Sequence, residues 1–266
     1  GVAPEGHCLI LLNAGSTSHV GPNRMYVELA RELAVAGTLV CRADLSGIGD
    51  SPVRVDAREN DPYPAGSVDD IAQLLAAIDE RYGPRPLALA GICSGAWASL
   101  HSALTCQGID EIVLINADFY GERSVFGKPA DLIRPKDYAR LKRSVRDSAK
   151  WRKLLRGEVN IMRVARILFS QLRARFSLAR RRARGDEEAL DRDLGLLAER
   201  GIRVSFVFSP GDGAEDYLAA HGSKGRSVLD GAGLLRERTI EGADHTFTPP
   251  RARREFLDTL GNWFSR

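Results

Sequence analysis

Apolar runs of strand length alternate with helix-periodic stretches along most of this chain, which predicts an α/β protein: a mostly parallel sheet flanked by helices on both faces. Two further observations sharpen that reading. Residues 87–100, LALAGICSGAWASL, pass from an apolar run through a glycine-flanked Cys-Ser pair into a helix of small residues, which reads as strand, sharp turn and helix. From about residue 121 to 200 no strand-like run occurs, and helical periodicity dominates.

With 266 residues, 44% of them hydrophobic, the chain is long enough to bury a sizeable core. No apolar run approaches the roughly 18 residues of a membrane span. The opening Gly1-Val2-Ala3-Pro4-Glu5-Gly6-His7 has neither the basic nor the apolar part of a signal peptide, so a soluble cytoplasmic protein is expected. Cys8, Cys41, Cys93 and Cys106 form no Cys-x-x-Cys pair and no metal-ligand spacing; reduced thiols are expected, with no metal site and no cofactor. The net charge of +3 conceals an asymmetry, because residues 122–200 hold 22 Lys and Arg against 11 Asp and Glu while the remainder is acidic.

In chain order, His7 to Leu12 reads as a buried parallel strand ending in the small polar loop Asn13-Ala14-Gly15-Ser16-Thr17-Ser18. Pro22 suits the first turn of an amphipathic helix that runs to about Ala36, with Asn23 and Arg24 as capping residues, and Gly37 ends it. Thr38 to Asp44 is a second strand. The loop after it contains Gly47-x-Gly49, but the third glycine of a dinucleotide fingerprint is missing and Pro52 interrupts any following helix, so that function is excluded; Asp44 and Asp50 read as turn residues. Ser67 is expected to cap a helix, with Asp70 at the capping-box spacing and Ile71, Leu74, Leu75 and Ile78 on one face, closed by Gly83-Pro84.

After the central strand and its helix to about Gln107, Glu111 to Ala117 forms a fourth strand. Helical periodicity at residues 138–155 and 160–178 predicts a helical cap, inserted at 121–200 between core segments 1–120 and 201–266. Ile202 to Ser209 is the next strand, ending at Pro210-Gly211-Asp212-Gly213, followed by a short helix from Glu215 to His221. Leu234 to Ile240 is a charged strand expected near a sheet edge, and it runs into Glu241-Gly242-Ala243-Asp244-His245-Thr246-Phe247. A helix from about Pro250 to Phe264 closes the sequence.

Gly91-x-Cys93-x-Gly95 has the spacing of a nucleophile elbow, in which the tight turn presses backbone on backbone and leaves no room for larger side chains. By that spacing Cys93 is the nucleophile and Ser94 supplies a backbone N–H to an oxyanion hole, although a hydroxyl beside a thiol keeps Ser94 open as nucleophile on composition. An acid after a later strand and a histidine after the last complete the order nucleophile, acid, histidine.

That order on alternating strands and helices resembles the α/β-hydrolase superfamily, and the resemblance spans nearly the whole chain. Asn13-Ala14-Gly15 looks like its oxyanion loop, Asp44-x-x-Gly47-x-Gly49-x-Ser51 like its loop after the next strand, and Asp212 and His245 match its acid and base positions. Glu215, Asp216 and Asp118 remain competitors for the acid. Two departures stand out: the elbow carries cysteine, as in dienelactone-hydrolase-like enzymes and some assembly-line thioesterases, and no antiparallel strand precedes His7.

The resemblance implies an α/β-hydrolase fold with an inserted cap and a Cys93–His245–Asp212 triad. His245 would take the thiol proton, since the thiolate is the competent nucleophile, and Asp212 would orient the imidazole. Backbone N–H groups of Ser94 and Ala14 would receive the oxyanion. The expected function is an acyl hydrolase or thioesterase working through an acyl-cysteine. Acyl transfer or cyclisation to a non-water nucleophile is the first alternative, and a binding module without turnover the second. The Arg173, Arg175, Arg180, Arg181, Arg182 and Arg184 cluster reads as a receiver for an acidic acyl-carrier domain or coenzyme A, or equally as a solvated helix face. No aromatic interleaving supports nucleic-acid binding.

Overall fold

The computed structural model describes residues 6–55, 57–64, 66–119 and 189–265. The expected cap helices and the arginine cluster at 173–184 lie outside the described residues. Strands β1 (Cys8–Leu12), β2 (Leu39–Arg42), β3 (Leu87–Ile92), β4 (Glu111–Ile115), β5 (Arg203–Phe208) and β6 (Leu235–Thr239) form one sheet in the order β2-β1-β3-β4-β5-β6, and every neighbouring pair is parallel. Helices α1 (Met25–Val35), α2 (Ser67–Tyr82), α3 (Ser94–Thr105), α4 (Ala189–Glu199), α5 (Ala214–His221), α6 (Ser223–Gly231) and α7 (Pro250–Phe264) connect and flank it. The α/β-hydrolase fold expected from the sequence is the fold observed.

Side chains alternate between the two faces of each strand, and two cores result. Leu9, Leu11, Ala88, Ala90, Val113 and Ile115 pack against Met25, Tyr26, Leu29 and Leu33 of α1 and Phe256, Leu257, Leu260 and Phe264 of α7. Ile10, Leu12, Leu89, Ile112, Leu114, Val204 and Phe206 face the other way, toward Ile71 and Ile78 of α2, Leu100 and Ala103 of α3, and Leu190, Leu194 and Leu197 of α4. Helix α4 comes from the last residues of the expected insertion, yet its apolar stripe is part of the sheet-covering layer. β1, β3 and β4 are buried throughout, as continuous apolar runs in a two-sided parallel sheet should be, whereas β6 is partly exposed at the edge.

Two local expectations are corrected. Gly66, not Ser67, occupies the cap of α2; Ser67 Oγ donates to Pro64 O at 2.6 Å, and Asp70 accepts from the Ser46 N–H and hydroxyl and from Arg54 instead of turning back to the helix start. Asn23 and Arg24 provide no side-chain cap either: both take left-handed backbone, and Pro22–Arg24 forms a separate 3-10 turn before α1.

The strand order reverses between β1 and β3, since the chain leaves β1 toward β2 on one side and returns to β3 on the other. The carboxyl ends of strands at such a switch point diverge their connections and open a crevice. Here that crevice is bordered by the Asn13 loop after β1 and Cys93 after β3.

Candidate active site

Cys93 sits between β3 and α3 with φ 58° and ψ −109°, a conformation that a side-chain-bearing residue adopts only under constraint. The constraint comes from its two glycines. A Cβ on Gly91 would lie 2.3 Å from the carbonyl carbon of Gly95, and a Cβ on Gly95 would lie 2.6 Å from Asn13 O. The turn can therefore close only with glycine at both positions, and it leaves Cys93 half-buried at the start of α3.

The neighbouring Ser94 is buried, and its Oγ accepts the N–H of Gly15 at 2.9 Å. Its hydroxyl thus ties α3 to the loop after β1. As the first residue of α3, Ser94 has an N–H with no partner inside the helix, directed out of the helix start. The Gly15 N–H is thereby engaged within the loop that carries Ala14.

His245 follows β6, and its Nδ1 lies 2.6 Å from Asp212 Oδ2 in the loop after β5. Cys93 lies close enough to the ring to act on its charge. Burial pulls the imidazole down, but the hydrogen bonds to Asp212 and Cys93 and the charge on both outweigh it and lift His245 to about 9. The structure thus brings Cys93, His245 and Asp212 together. Asp118, the competing acid after β4, instead accepts the hydroxyl of Tyr63 at 2.6 Å.

The loop after β1 is clamped from below by Asp44, which the sequence presented as a turn residue. Asp44 Oδ1 accepts from Asn13 Nδ2 at 2.8 Å and the His19 N–H at 2.5 Å; Oδ2 meets His19 Nδ1 at 2.6 Å and the Asp50 N–H at 3.1 Å. Burial raises the Asp44 carboxyl, yet these hydrogen bonds hold it below the usual carboxylate range. Asn13 Oδ1 in turn accepts the Leu45 N–H at 2.8 Å. A cation would find His19, Asp44 and Asp50 ligand atoms within 4.8 Å of one another, but the Asp44 oxygens are committed to this clamp.

Sequence reasoning missed four supports. Asn116, at φ 43° just past β4, donates from Nδ2 to Ser209 Oγ at 2.8 Å and to His245 O at 2.9 Å, and accepts the Ser209 N–H at 2.7 Å. Ser209 Oγ passes its own proton to Asp244 O at 2.7 Å, so the histidine loop hangs from two buried polar residues at strand ends. Phe247 then anchors the same loop in the core, its ring 4.7 Å from that of Phe256. The fourth support is Tyr63, from the loop after β2, whose hydroxyl donates to Asp118 at 2.6 Å. The positive φ of Asn116 and Phe247 leaves no periodic trace in a sequence.

With this geometry in hand, comparison with known proteins is informative. Residues 5–166 match the sequence model of the family described as serine aminopeptidase, S33. An α/β serine hydrolase homologue from Coxiella burnetii superposes with a TM-score of 0.52 at 14% identity, covering 98% of this chain and 86% of the other. A carboxylesterase from the thaumarchaeon Nitrososphaera gargenis gives 0.54 at 14% identity, with 98% and 90% covered. A Pyrococcus furiosus esterase gives 0.58 at 9% identity, with 98% and 82% covered. No curated protein sequence matches the chain. At these identities the structural likeness speaks for the fold alone.

Proposed function

Because the chain belongs to the serine aminopeptidase S33 family of α/β-hydrolases, we propose that it is an acyl hydrolase with thioesterase activity, in which Cys93 takes the place of the serine that names the family. The observation that carries the proposal is the 2.6 Å contact of His245 Nδ1 with Asp212 Oδ2, with Cys93 at the strained elbow close enough to act on the imidazole's charge. The Ser94 hydroxyl is occupied by the Gly15 N–H, which supports cysteine as the attacking group.

With His245 lifted to about 9, the imidazole holds a proton near neutral pH that it can give to a leaving group. In the proposed cycle the thiolate adds to the acyl carbonyl, and the oxyanion is received by the N–H groups of Ser94 and Ala14. The His245 proton goes to the leaving thiolate or alkoxide as the carbonyl re-forms. The acyl group is then a thioester on Cys93, and water deprotonated by the neutral His245 releases it. Asp212 holds the ring throughout and balances its positive charge.

Thioesters are the favoured substrates, because attack by one thiolate that expels another is close to thermoneutral, whereas expulsion of an alkoxide by a thiolate is uphill. The basic sequence between residues 122 and 188 supports delivery of the acyl group by an acidic carrier domain or coenzyme A. An amine or second thiol in place of water would make the same intermediate a transferase.

The test is turnover of acyl thioesters and p-nitrophenyl esters by the protein and by Asp212→Asn and His245→Ala variants. Thiol release that falls by about 10³-fold or more in both variants supports the reading. Equal turnover by all three proteins overturns it, and covalent labelling of Cys93 without turnover favours the binding module.

A further inference from the structure

The side of the elbow away from His245 carries two aromatic rings that the triad chemistry leaves unused. Phe247 seats the His245 loop in the core covered by α1 and α7, whereas Trp97 packs against the core on the other face of the sheet, with α2, α3 and α4. Trp97 stands one helical turn after the nucleophile, its N–H donating to Cys93 O at 3.2 Å, and of residues 94–100 it is the one that is not buried. Helical side chains lean toward the turn before their own, which directs the indole back over the elbow. Tyr63, from the loop after β2, meets the indole edge-on, with centroids 5.6 Å apart and planes at 88°.

Both rings are held in place. His101, one turn further along α3, packs its own ring 4.6 Å from the indole. Tyr63 Oη donates to Asp118 Oδ2 at 2.6 Å, and the Tyr63 N–H donates to Asp61 at 2.9 Å. The N–H of Asp118 lies 3.5 Å from Cys93 O, so the phenol is tied to the same turn that carries the sulfur. The result is a right-angled corner of two half-buried rings beside the nucleophile.

Addition of sulfur to an acyl carbonyl puts three other groups on that carbon. The oxyanion goes to the N–H at the start of α3, and the leaving group goes toward His245, which supplies its proton. The acyl chain takes the remaining direction, away from His245. Resting on the reading of Cys93 as nucleophile, we infer that Trp97 and Tyr63 are specificity-determining residues that receive the acyl chain, and that the class of acyl group they select is aromatic, with its ring one or two carbons from the carbonyl. One helical turn, about 5 Å, separates Trp97 from Cys93 along α3, and a linker of that length spans it. A third ring set in a perpendicular corner stacks on one wall and meets the other edge-on, which favours it over a saturated ring of equal size by about two- to tenfold. A long alkyl chain gains no such contact and gives up rotamer freedom on binding. Because both walls are fixed beforehand, little ordering opposes the fit.

The test has two readouts. NMR titration with phenylacetamide and cyclohexylacetamide, which carry no leaving thiol, reads the corner without turnover. The ratio of kcat/KM for phenylacetyl and cyclohexylacetyl thioesters of N-acetylcysteamine reads it in the reaction. Both are run on the intact protein and on Trp97→Leu and Tyr63→Leu variants with unchanged circular dichroism; the two substitutions lie on separate elements, so a folding failure of one leaves the other. The aromatic amide should bind about two- to tenfold more tightly than its saturated counterpart, the thioesters should show a similar ratio, and both ratios should fall to near one in either variant. Tyr63→Phe, which keeps the ring and loses the Asp118 anchor, should retain most of the preference. Ratios near one in the intact protein, or unchanged in both variants, overturn the role of Trp97 and Tyr63 while leaving Cys93 as nucleophile. An amide preference that both variants lose, in a protein that turns over no thioester, supports the corner as the ring-binding site and overturns the hydrolase reading instead.

Discussion

The protonation of His245 makes a prediction about stability as well as chemistry. Its folded value of about 9 lies above its ordinary 6.5. A group raised on folding contributes stability that is fully present below the unfolded value and is lost as pH rises through the folded one. The window is therefore pH 6.5 to 9, and stability falls across it. At about 1.4 kcal/mol per pH unit, the rise from 6.5 to about 9 corresponds to roughly 3 kcal/mol. With the side chain 26% exposed, solvent screening leaves most of this in place.

The assay is urea unfolding followed by tryptophan fluorescence at one-unit steps from pH 6 to 10, on the protein and on His245→Gln. The difference between the two isolates the histidine. Cys8, which burial and the neighbouring Cys41 push up to about 11, contributes a loss of the same sign at higher pH but cancels in the difference. A wild-type advantage that declines by about 3 kcal/mol between pH 6.5 and 9 agrees with the reasoning. An advantage that is flat across this window, or that grows with pH, refutes the Asp212–His245–Cys93 electrostatics from which it was worked. Cys93→Ser should lower the midpoint but leave a rise due to Asp212.

Asn116→Ala removes two donated and one accepted hydrogen bond from a buried site, so it should cost about 3 kcal/mol in urea unfolding and lower kcat by releasing the His245 loop. Gly91→Ala places a Cβ 2.3 Å from the Gly95 backbone, where no side chain can yield, and should cost at least about 2 kcal/mol by thermal or urea melting. Asp44→Asn should lower kcat more than it raises KM, measured on a thioester, because the loop that carries Ala14 loses charge-assisted hydrogen bonds from Asn13 and His19.

Much of the fold was legible because parallel strands buried on both faces are uninterrupted apolar runs, and all six strands were expected within a few residues of their bounds. Helix α6 was not, since Ser223-Lys224-Gly225-Arg226-Ser227 has poor helical character. The structure explains Gly225: a Cβ there would lie 2.6 Å from Leu194 Cβ, so the glycine lets α6 approach α4. In the site, the elbow and the Asp212 and His245 loops were readable because glycine spacing and chain order carry them. Asp44, Asn116, Ser209 and Tyr63 were not, because each acts through a partner more than thirty residues away or across the sheet, and a lone polar residue in a loop has no pattern to betray it.

The central claim is that Cys93 carries the acyl group. It is tested most directly by mixing the protein with an acyl thioester of N-acetylcysteamine, quenching in acid and mapping the mass adduct. The adduct should sit on Cys93, vanish in Cys93→Ala and persist in Ser94→Ala, whose turnover slows because Gly15 loses its acceptor. An adduct on Ser94, or one that survives Cys93→Ala, would contradict the assignment.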